Sequence, residues 1–418
     1  MTYNEIEYNV VFCRYSEIAL KGKNRWRFEQ YLITRIAKLI NCIDNIVVRK
    51  IRGRILIHLK DERAFREEEI SKISIALNYV FGLDSYSFSI KIPSDITQIL
   101  NTVDQTVNNI IFSAGNESNK KLTFRVRVRR SYKEFPLSTK DTEIALADLV
   151  LAKYTDLSVN LKKADVTVYC EIHEEYSYIF YTKERGQGGL PSGSNPPVLS
   201  LLSGGFDSPV SSYTMMRRGV FVDYISFHSY PFTPEATVDK IKNLAIQLNK
   251  FQGERRLFVC NLLEVQKDIC AGVYETFRTI HYRRIMFRVA EKIALLNGNK
   301  ALVTGESVGQ VASQTIVNLA NIDSAIDMLV LRPLIGADKI DIMNIAEKIG
   351  TFELSKEQVP DSCTVFSPSN PSTGAPRKMI LNGEKHLDID ELVEKAYKNT
   401  VVIDPQTGEE TSLDEIFQ

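Results

Sequence analysis

The thirteen residues RGQGGLPSGSNPP (185–197) constrain the fold more than any other stretch, because nine of them are glycine, proline or serine. Such a run is expected to hold neither a helix nor a central strand, so it reads as a linker and as the main domain boundary. Before it, short strands alternate with helices: NVVFCRYS (9–16) reads as a strand, NRWRFEQYLITRIAKLI (24–40) as an amphipathic helix, and VVRKIRGRILIHL (47–59) as two strands joined near Gly53. A second set follows, with SYSFSIKI (85–92), a helix over about 94–112, KLTFRVRVR (121–129), a helix over about 139–154, and a hairpin from DVTVYCEI and YSYIFYTKE. Beyond the linker the order becomes VLSLL, a helix from 209, VFVDYISF, a helix over 235–250, RLFVC, a long helical region near 263–295, ALVTG and MLVLRPL. Near-continuous apolar strands separated by helices predict a parallel sheet covered on both faces.

A chain of 418 residues exceeds the size at which one core stops growing, so two or three domains are expected. Apolar residues at 44% and charged residues at 25% exclude global disorder. Neither a secretory signal nor an apolar run long enough for a membrane span is found, which makes a cytoplasmic protein the simplest reading. The six cysteines (13, 42, 170, 260, 270 and 363) form no CxxC pair, so neither a disulfide scaffold nor a thiolate zinc site is supported. Cys13, Cys170 and Cys260 fall inside strands and are expected to be buried, with Cys42 and Cys270 on helices.

The segment LLSGGFDSPV (201–210) ends an apolar strand and opens a helix, the place where parallel sheets bind ligands. Gly204 and Gly205 let a ligand approach the main chain, and amides at the following helix start point at an anion. Ser208 reads as an N-cap and Pro209 as the first helical residue. A tight turn without a ligand is the alternative for an isolated SGG. The segment is neither a Walker A loop nor a GxGxxG fingerprint. It is similar to the SGGxDS loop of ATP pyrophosphatases, which cleave ATP between the α and β phosphates. A bridging magnesium ion would reconcile the Asp207 carboxylate with nearby phosphate.

A second segment, VTGESVGQVASQT (303–315), also follows a strand and opens a helix, with Glu306, Ser307, Ser313 and Gln314 offering polar groups toward the same end of the sheet. Together with EIALKGKNRWRFE (17–29), FPLST (135–139) and DSCTVFSPSNPST (361–373), these motifs closely resemble the tRNA 4-thiouridine synthetases over essentially the whole chain. Those enzymes replace the O4 oxygen of the position-8 uridine of tRNA with sulfur. The resemblance implies an α/β PP-loop domain of the adenine nucleotide alpha hydrolase type over 198–418. It would be preceded by an α+β ferredoxin-like domain over 1–75 and a THUMP RNA-binding domain over 76–184. Carried over by motif, the ATP contacts fall on Leu201, Leu202, Ser203, Gly204, Gly205, Asp207, Ser208, Ser226, Phe227, Arg283, Gly305 and Gln314. Ser226 stands where histidine is common in the family, and Arg284 competes with Arg283 for its position.

The net charge is zero, so partners must be read from where charge lies. The strand at 121–129 sets Leu122, Phe124, Val126 and Val128 on one face and Arg125, Arg127 and Arg129 on the other. With Lys121, Arg130 and Lys133 the segment 121–133 carries six basic residues and no acid. Lys21, Lys23, Arg25 and Arg27 near the start, with Arg49, Lys50, Arg52 and Arg54, add to a basic N-terminal half suited to RNA phosphates, although a solvated strand face is the alternative. Trp26 is expected to pack against the body of its helix, with stacking on a base as the alternative.

Uridine O4 is a poor leaving group, and adenylation followed by attack of a persulfide sulfur would displace it. The resemblance assigns the sulfur-carrying cysteine to Cys363, which lies in a polar, proline-rich segment. It implies a homodimer and a cysteine desulfurase as partners, with ATP and magnesium as cofactors. Some members carry a C-terminal rhodanese domain with a second catalytic cysteine, and this chain ends at Gln418 without room for one. The expectation is therefore direct transfer from the desulfurase, with Cys260, Cys270 or an external thiol to resolve the product; a role in thiamine thiazole synthesis, which in some members depends on the rhodanese domain, is left open. A second enzyme reading is a 2-thiouridine or lysidine synthetase, and a non-enzyme reading is an RNA-binding module with a decayed nucleotide loop. The presence of both Asp207 and Cys363 argues against the last.

Overall fold

In the computed structural model, residues 6–51, 53–116, 121–360 and 365–417 are described. The chain divides into two compact units, one ending at Pro191 and the other starting at Ser192.

The first unit contains β1 (Val10–Arg14), α1 (Arg25–Leu39), β2 (Ile46–Ile51), β3 (Arg54–Leu59), α2 (Glu67–Leu77), β4 (Ser85–Pro93), α3 (Ile96–Asn116), β5 (Thr123–Arg130), α4 (Thr139–Lys153), β6 (Ser158–Val159), β7 (Val166–Ile172), β8 (Tyr176–Phe180) and β9 (Glu184–Arg185). Its strands form one sheet in the order β2-β3-β1-β4-β8-β7-β5-β6, with β9 on β4. Strand β4 joins two halves: Ser85–Ser89 pairs antiparallel with β1, and Ile90–Pro93 with β8. A large hydrophobic core runs from Ile36 and Leu77 through to Phe124 and Val168, and Val10, Phe12, Leu56 and Tyr178 form a smaller cluster. The alternation in β5 holds, with Phe124 and Val126 buried and Arg127 and Arg129 exposed. Trp26 departs from expectation, being 63% exposed. It stands in the first turn of α1, off the stripe through which Leu32 and Ile36 enter the core.

The second unit contains β10 (Leu190–Leu201), α5 (Asp207–Met216), β11 (Arg218–His228), α6 (Glu235–Gln252), β12 (Leu257–Asn261), α7 (Leu263–Gly272), α8 (Arg278–Leu296), β13 (Leu302–Val303), α9 (Ile316–Asp323), β14 (Val330–Leu331), α10 (Lys339–Lys348), α11 (Phe352–Lys356), α12 (Arg377–Glu384), α13 (Ile389–Lys398), β15 (Thr400–Ile403) and β16 (Glu410–Ser412). The sheet order is β14-β13-β10-β11-β12-β15-β16. Pairing is parallel for β14 with β13, β13 with β10, and β11 with β12; β15 and β16 add an antiparallel edge. Leu199, Ile225 and Phe258 pack against α8 and α13. Among the described residues, no helix is long and apolar enough to cross a membrane.

Three local expectations are corrected. The glycine- and proline-rich stretch is strand from Leu190 onward, within a central strand of the second sheet. Proline is tolerated there because the ladder to β13 begins only at Leu199, after Pro196 and Pro197, while Asn195 Nδ2 fixes the earlier part by donating to Arg218 O at 2.7 Å. The helical region near 263–295 is broken between Gly272 and Arg278. Cys42 lies on a turn beyond α1 rather than on a helix and is exposed.

The junction of α8 and α12 carries a concentrated electrostatic tie. Arg284, 1% exposed, reaches both oxygens of Glu384 at 2.8 and 2.9 Å, and Arg288 Nη1 reaches the same carboxylate at 2.7 Å. Burial alone would raise the Glu384 carboxyl, but the two guanidiniums outweigh it and hold it down at about 2. A depressed carboxylate contributes stability that is complete above the ordinary range near 4.5 and is lost as pH falls through about 2. Glu384→Gln should therefore melt well below the wild type near neutral pH, by on the order of 3 kcal/mol. That gap should close as melts are repeated at pH falling from about 4.5 to about 2.

Candidate active site

The carboxyl ends of β10, β11 and β13 open into a cavity of about 690 Å³, within the range of small-ligand sites. Leu201, Leu202 and the loop Ser203–Ser208 form one wall, Ser226 and Phe227 a second, Arg283 from α8 a third, and Thr304–Glu306 with Ser313 and Gln314 a fourth. Ser355–Pro360 closes another side. All twelve residues assigned to the nucleotide by motif thus line one space.

The loop is held by an unexpected device. Helix α5 begins at Asp207, so Ser208 is already helical and does not cap it. Its Oγ instead accepts from Ser203 N at 2.8 Å and donates to Ser203 O at 3.1 Å, tying the two ends of the loop together. Pro209 is correspondingly the third helical residue, not the first. A Cβ on Gly305 would lie 2.6 Å from Ser208 N and 2.7 Å from Asp207 C, so the two motifs meet backbone to backbone.

Charge is distributed unevenly around the cavity. Glu306 is 2% exposed, and burial would raise its carboxyl, but Arg283 and Arg332 hold it below the usual range. Arg332 Nε stands 2.7 Å from Glu306 Oε2, Arg283 Nη2 bonds the other oxygen, and Arg283 Nη1 donates to Ser313 Oγ at 3.2 Å. One carboxylate therefore orients two guanidiniums; Arg332 is also paired with Asp323 at 2.9 Å, so Arg283 is the one presented to the cavity. Arg283 faces this space, whereas Arg284 is consumed by Glu384 in the core, which separates two neighbours that the sequence left interchangeable. Asp207 accepts from Lys339 Nζ at 2.8 Å and from Gln310 Nε2 at 3.0 Å. Among the described residues, no cluster of three or more His, Cys, Asp or Glu side chains could hold a metal.

In the first unit, Lys23, Arg25 and Arg129 gather with Trp26, Lys50 and Arg54 around a second, basic cavity of about 630 Å³. Glu29 lies at its base, 1% exposed, with Arg25 Nε at 2.8 Å and Lys50 Nζ at 2.6 Å. Lys21 stands over the Phe28 ring at 5.2 Å, and Lys133 is exposed. Arg125 and Arg127 turn to the carbonyls of Lys162 and Leu161 at 2.8 and 2.6 Å, and Arg130 to those of Phe135 and Leu137 at 3.0 and 2.9 Å. The basic residues thus form several groups. Arg52 lies outside the described residues.

Three sequence families match this chain: "ThiI ferredoxin-like domain" over residues 10–87, "THUMP domain" over 93–182, and "Thiamine biosynthesis protein (ThiI)" over 193–389. A probable tRNA sulfurtransferase from Brevibacillus brevis is 37% identical over 412 residues, covering 99% of this chain and 100% of the relative. The chain belongs to the tRNA sulfurtransferase family. A second probable tRNA sulfurtransferase, from Alkaliphilus oremlandii, is 38% identical over 93% of this chain and 96% of its own. A crystal structure of a 4-thiouridine synthetase–RNA complex with bound ATP superimposes with a TM-score of 0.82 at 34% identity, covering 95% of this chain and 99% of that one.

Cys363 lies outside the described residues. Cys13, Cys170 and Cys260 are buried, and burial pushes each thiol up to about 12. Cys270 is half-buried, with Sγ 3.0 Å from Tyr282 Oη. Lys339 and Lys240 are among the site residues that sequence reasoning missed. Neither stands in a motif, and Lys339 meets Asp207 across 132 residues of chain, so no local spacing could reveal the pair.

Proposed function

We propose that this tRNA sulfurtransferase adenylates O4 of the position-8 uridine and replaces it with sulfur carried by Cys363, giving 4-thiouridine. The observation that carries the reading is the single cavity in which the SGGFDS loop, Arg283 and the 304–314 segment converge beside Val359 and Pro360, close in sequence to Cys363. Uridine O4 attacks the α-phosphorus, the bond to the bridging oxygen breaks, and pyrophosphate leaves. Amides at the start of α5 and the guanidinium of Arg283 are suited to the charge on the phosphates. Asp207 would hold magnesium in exchange for its contacts to Lys339 and Gln310, with phosphate and water oxygens completing the shell, and the ion would offset charge on pyrophosphate.

The terminal sulfur of the Cys363 persulfide then attacks C4, the C4–O bond breaks, and AMP leaves. The new C4–S bond is still joined through sulfur to Cys363 Sγ. A second thiol attacks that Sγ, releases 4-thiouridine and leaves a disulfide for an external thiol to reduce. Cys270 suits that role better than Cys260, whose proton is held by burial. A cysteine desulfurase supplies the persulfide, the basic first unit positions tRNA, and a cytoplasmic homodimer in which one subunit presents RNA to the other's cavity completes the reading.

The test is to incubate the protein with unmodified tRNA, ATP, magnesium and sulfide, and to measure thionucleoside by mass together with AMP release. One AMP per 4-thiouridine is expected, and none with tRNA lacking the position-8 uridine. AMP release without a thionucleoside, or sulfur at another base, would reject the reading.

A further inference from the structure

Lys240 on α6 is 4% exposed and holds two parts of the site. Its Nζ donates to Ser355 O at 3.0 Å and to Glu357 O at 2.7 Å, capturing the chain where α11 ends. Its side chain also lies along the nucleotide loop, because a Cβ on Gly204 would come within 3.3 Å of Lys240 Cδ, Cε and Nζ. Two further contacts fasten the same pieces. Ser355 Oγ donates to Gly205 O at 3.3 Å, and Thr237 Oγ1, one turn before Lys240, donates to Pro360 O at 3.3 Å. Burying an ammonium is costly, and two carbonyl acceptors offset that cost only while this geometry is kept.

On the other side of Cys363 the chain is tied separately. Ser369 N donates to Glu275 Oε1 at 3.1 Å, and Asn318 Nδ2 donates to Ser372 O at 2.8 Å. Those anchors hold the chain after Cys363 to other elements, whereas Lys240 and Ser355 hold the chain before it to the loop that takes the phosphates. The distinction has a mechanistic consequence. Attack of a carried sulfur on an adenylated base needs carrier and adenylate in register, and free sulfide does not.

We propose that Lys240 is a positioning residue for sulfur delivery, fastening the segment that leads to Cys363 onto the nucleotide loop. The proposal rests on the function given above, and its test separates the two. Wild type, Lys240→Met, Lys240→Arg and Ser355→Ala are compared in thiolation driven by sodium sulfide and in thiolation driven by a cysteine desulfurase with cysteine, with thermal melts for each. Lys240→Met should lose about tenfold more kcat with the desulfurase than with sulfide, the KM for ATP changing less. Lys240→Arg should recover part of the loss, and Ser355→Ala should show the same bias more weakly. Equal losses with both sulfur sources, or no loss in either, overturn the proposal. If Lys240→Met gives no cooperative melt, the ratio in Lys240→Arg and Ser355→Ala decides by the same criterion. A wild type inactive with both sources rejects the proposed function itself.

Discussion

Cys363→Ser is expected to reduce desulfurase-driven 4-thiouridine formation by about three orders of magnitude, because a hydroxyl cannot carry a sulfane sulfur. Release of AMP in the presence of tRNA should survive, since the groups suited to adenylation lie on the cavity walls around Arg283 and Gly305. Sulfide should restore part of the thiolation by attacking C4 without a carrier. The other thiols are poor substitutes. Burial pushes Cys13, Cys170 and Cys260 each up to about 12, so all three are held as thiols at neutral pH. Measurement of thionucleoside and AMP in parallel checks the assignment. Full desulfurase-driven activity in Cys363→Ser would move the carrier role elsewhere, and loss of AMP release would show that the residue serves adenylation.

The parts of this molecule that were legible in the sequence are those written in local periodicity. Strand β5 declares its buried face through Phe124 and Val126, and the parallel strands of the second unit declare theirs through apolar runs such as that of β11. The nucleotide loop was legible because its glycines, aspartate and serine are contiguous. What failed depends on partners remote in sequence. Ser208 looks like a cap until the return contact to Ser203 is known, and β10 looks like a linker until β13 and Arg218 are placed beside it. The antiparallel edge of β15 and β16 is too short to stand out against the helix before it. Arg283 and Arg284 are indistinguishable as letters, and only the rotation of α8 sends one to the cavity and the other to Glu384. Lys339 and Lys240 fall in the same category, since each acquires its meaning from a loop more than thirty residues away.

Gly305→Ala is the substitution expected to harm adenylation most for the smallest change in composition. A methyl at this position would meet backbone atoms, Ser208 N at 2.6 Å and Asp207 C at 2.7 Å, which cannot swing aside as a side chain can. The 304–306 segment and the loop must then separate by several tenths of an ångström. That movement strains the 2.7 Å bond from Ser211 Oγ to Thr304 O and shifts the first amides of α5 away from the phosphates. Misplacement by about 1 Å in a preorganised site costs about a hundredfold in rate, so a shift of this size should cost about tenfold or more, and overpacking costs about 1–3 kcal/mol of stability. Gly205→Ala provides the contrast. Its Cβ would have only Ser203 Oγ nearby, at 3.8 Å, so the fold accepts it and the melting temperature should stay close to wild type. Any loss in Gly205→Ala should fall on the KM for ATP, where an added methyl would obstruct close approach of the nucleotide to the main chain. Rates of tRNA-dependent AMP release across ATP concentrations, with melts of both variants, distinguish the two glycines. Wild-type rates in Gly305→Ala would mean that the contact between the two motifs is dispensable for adenylation.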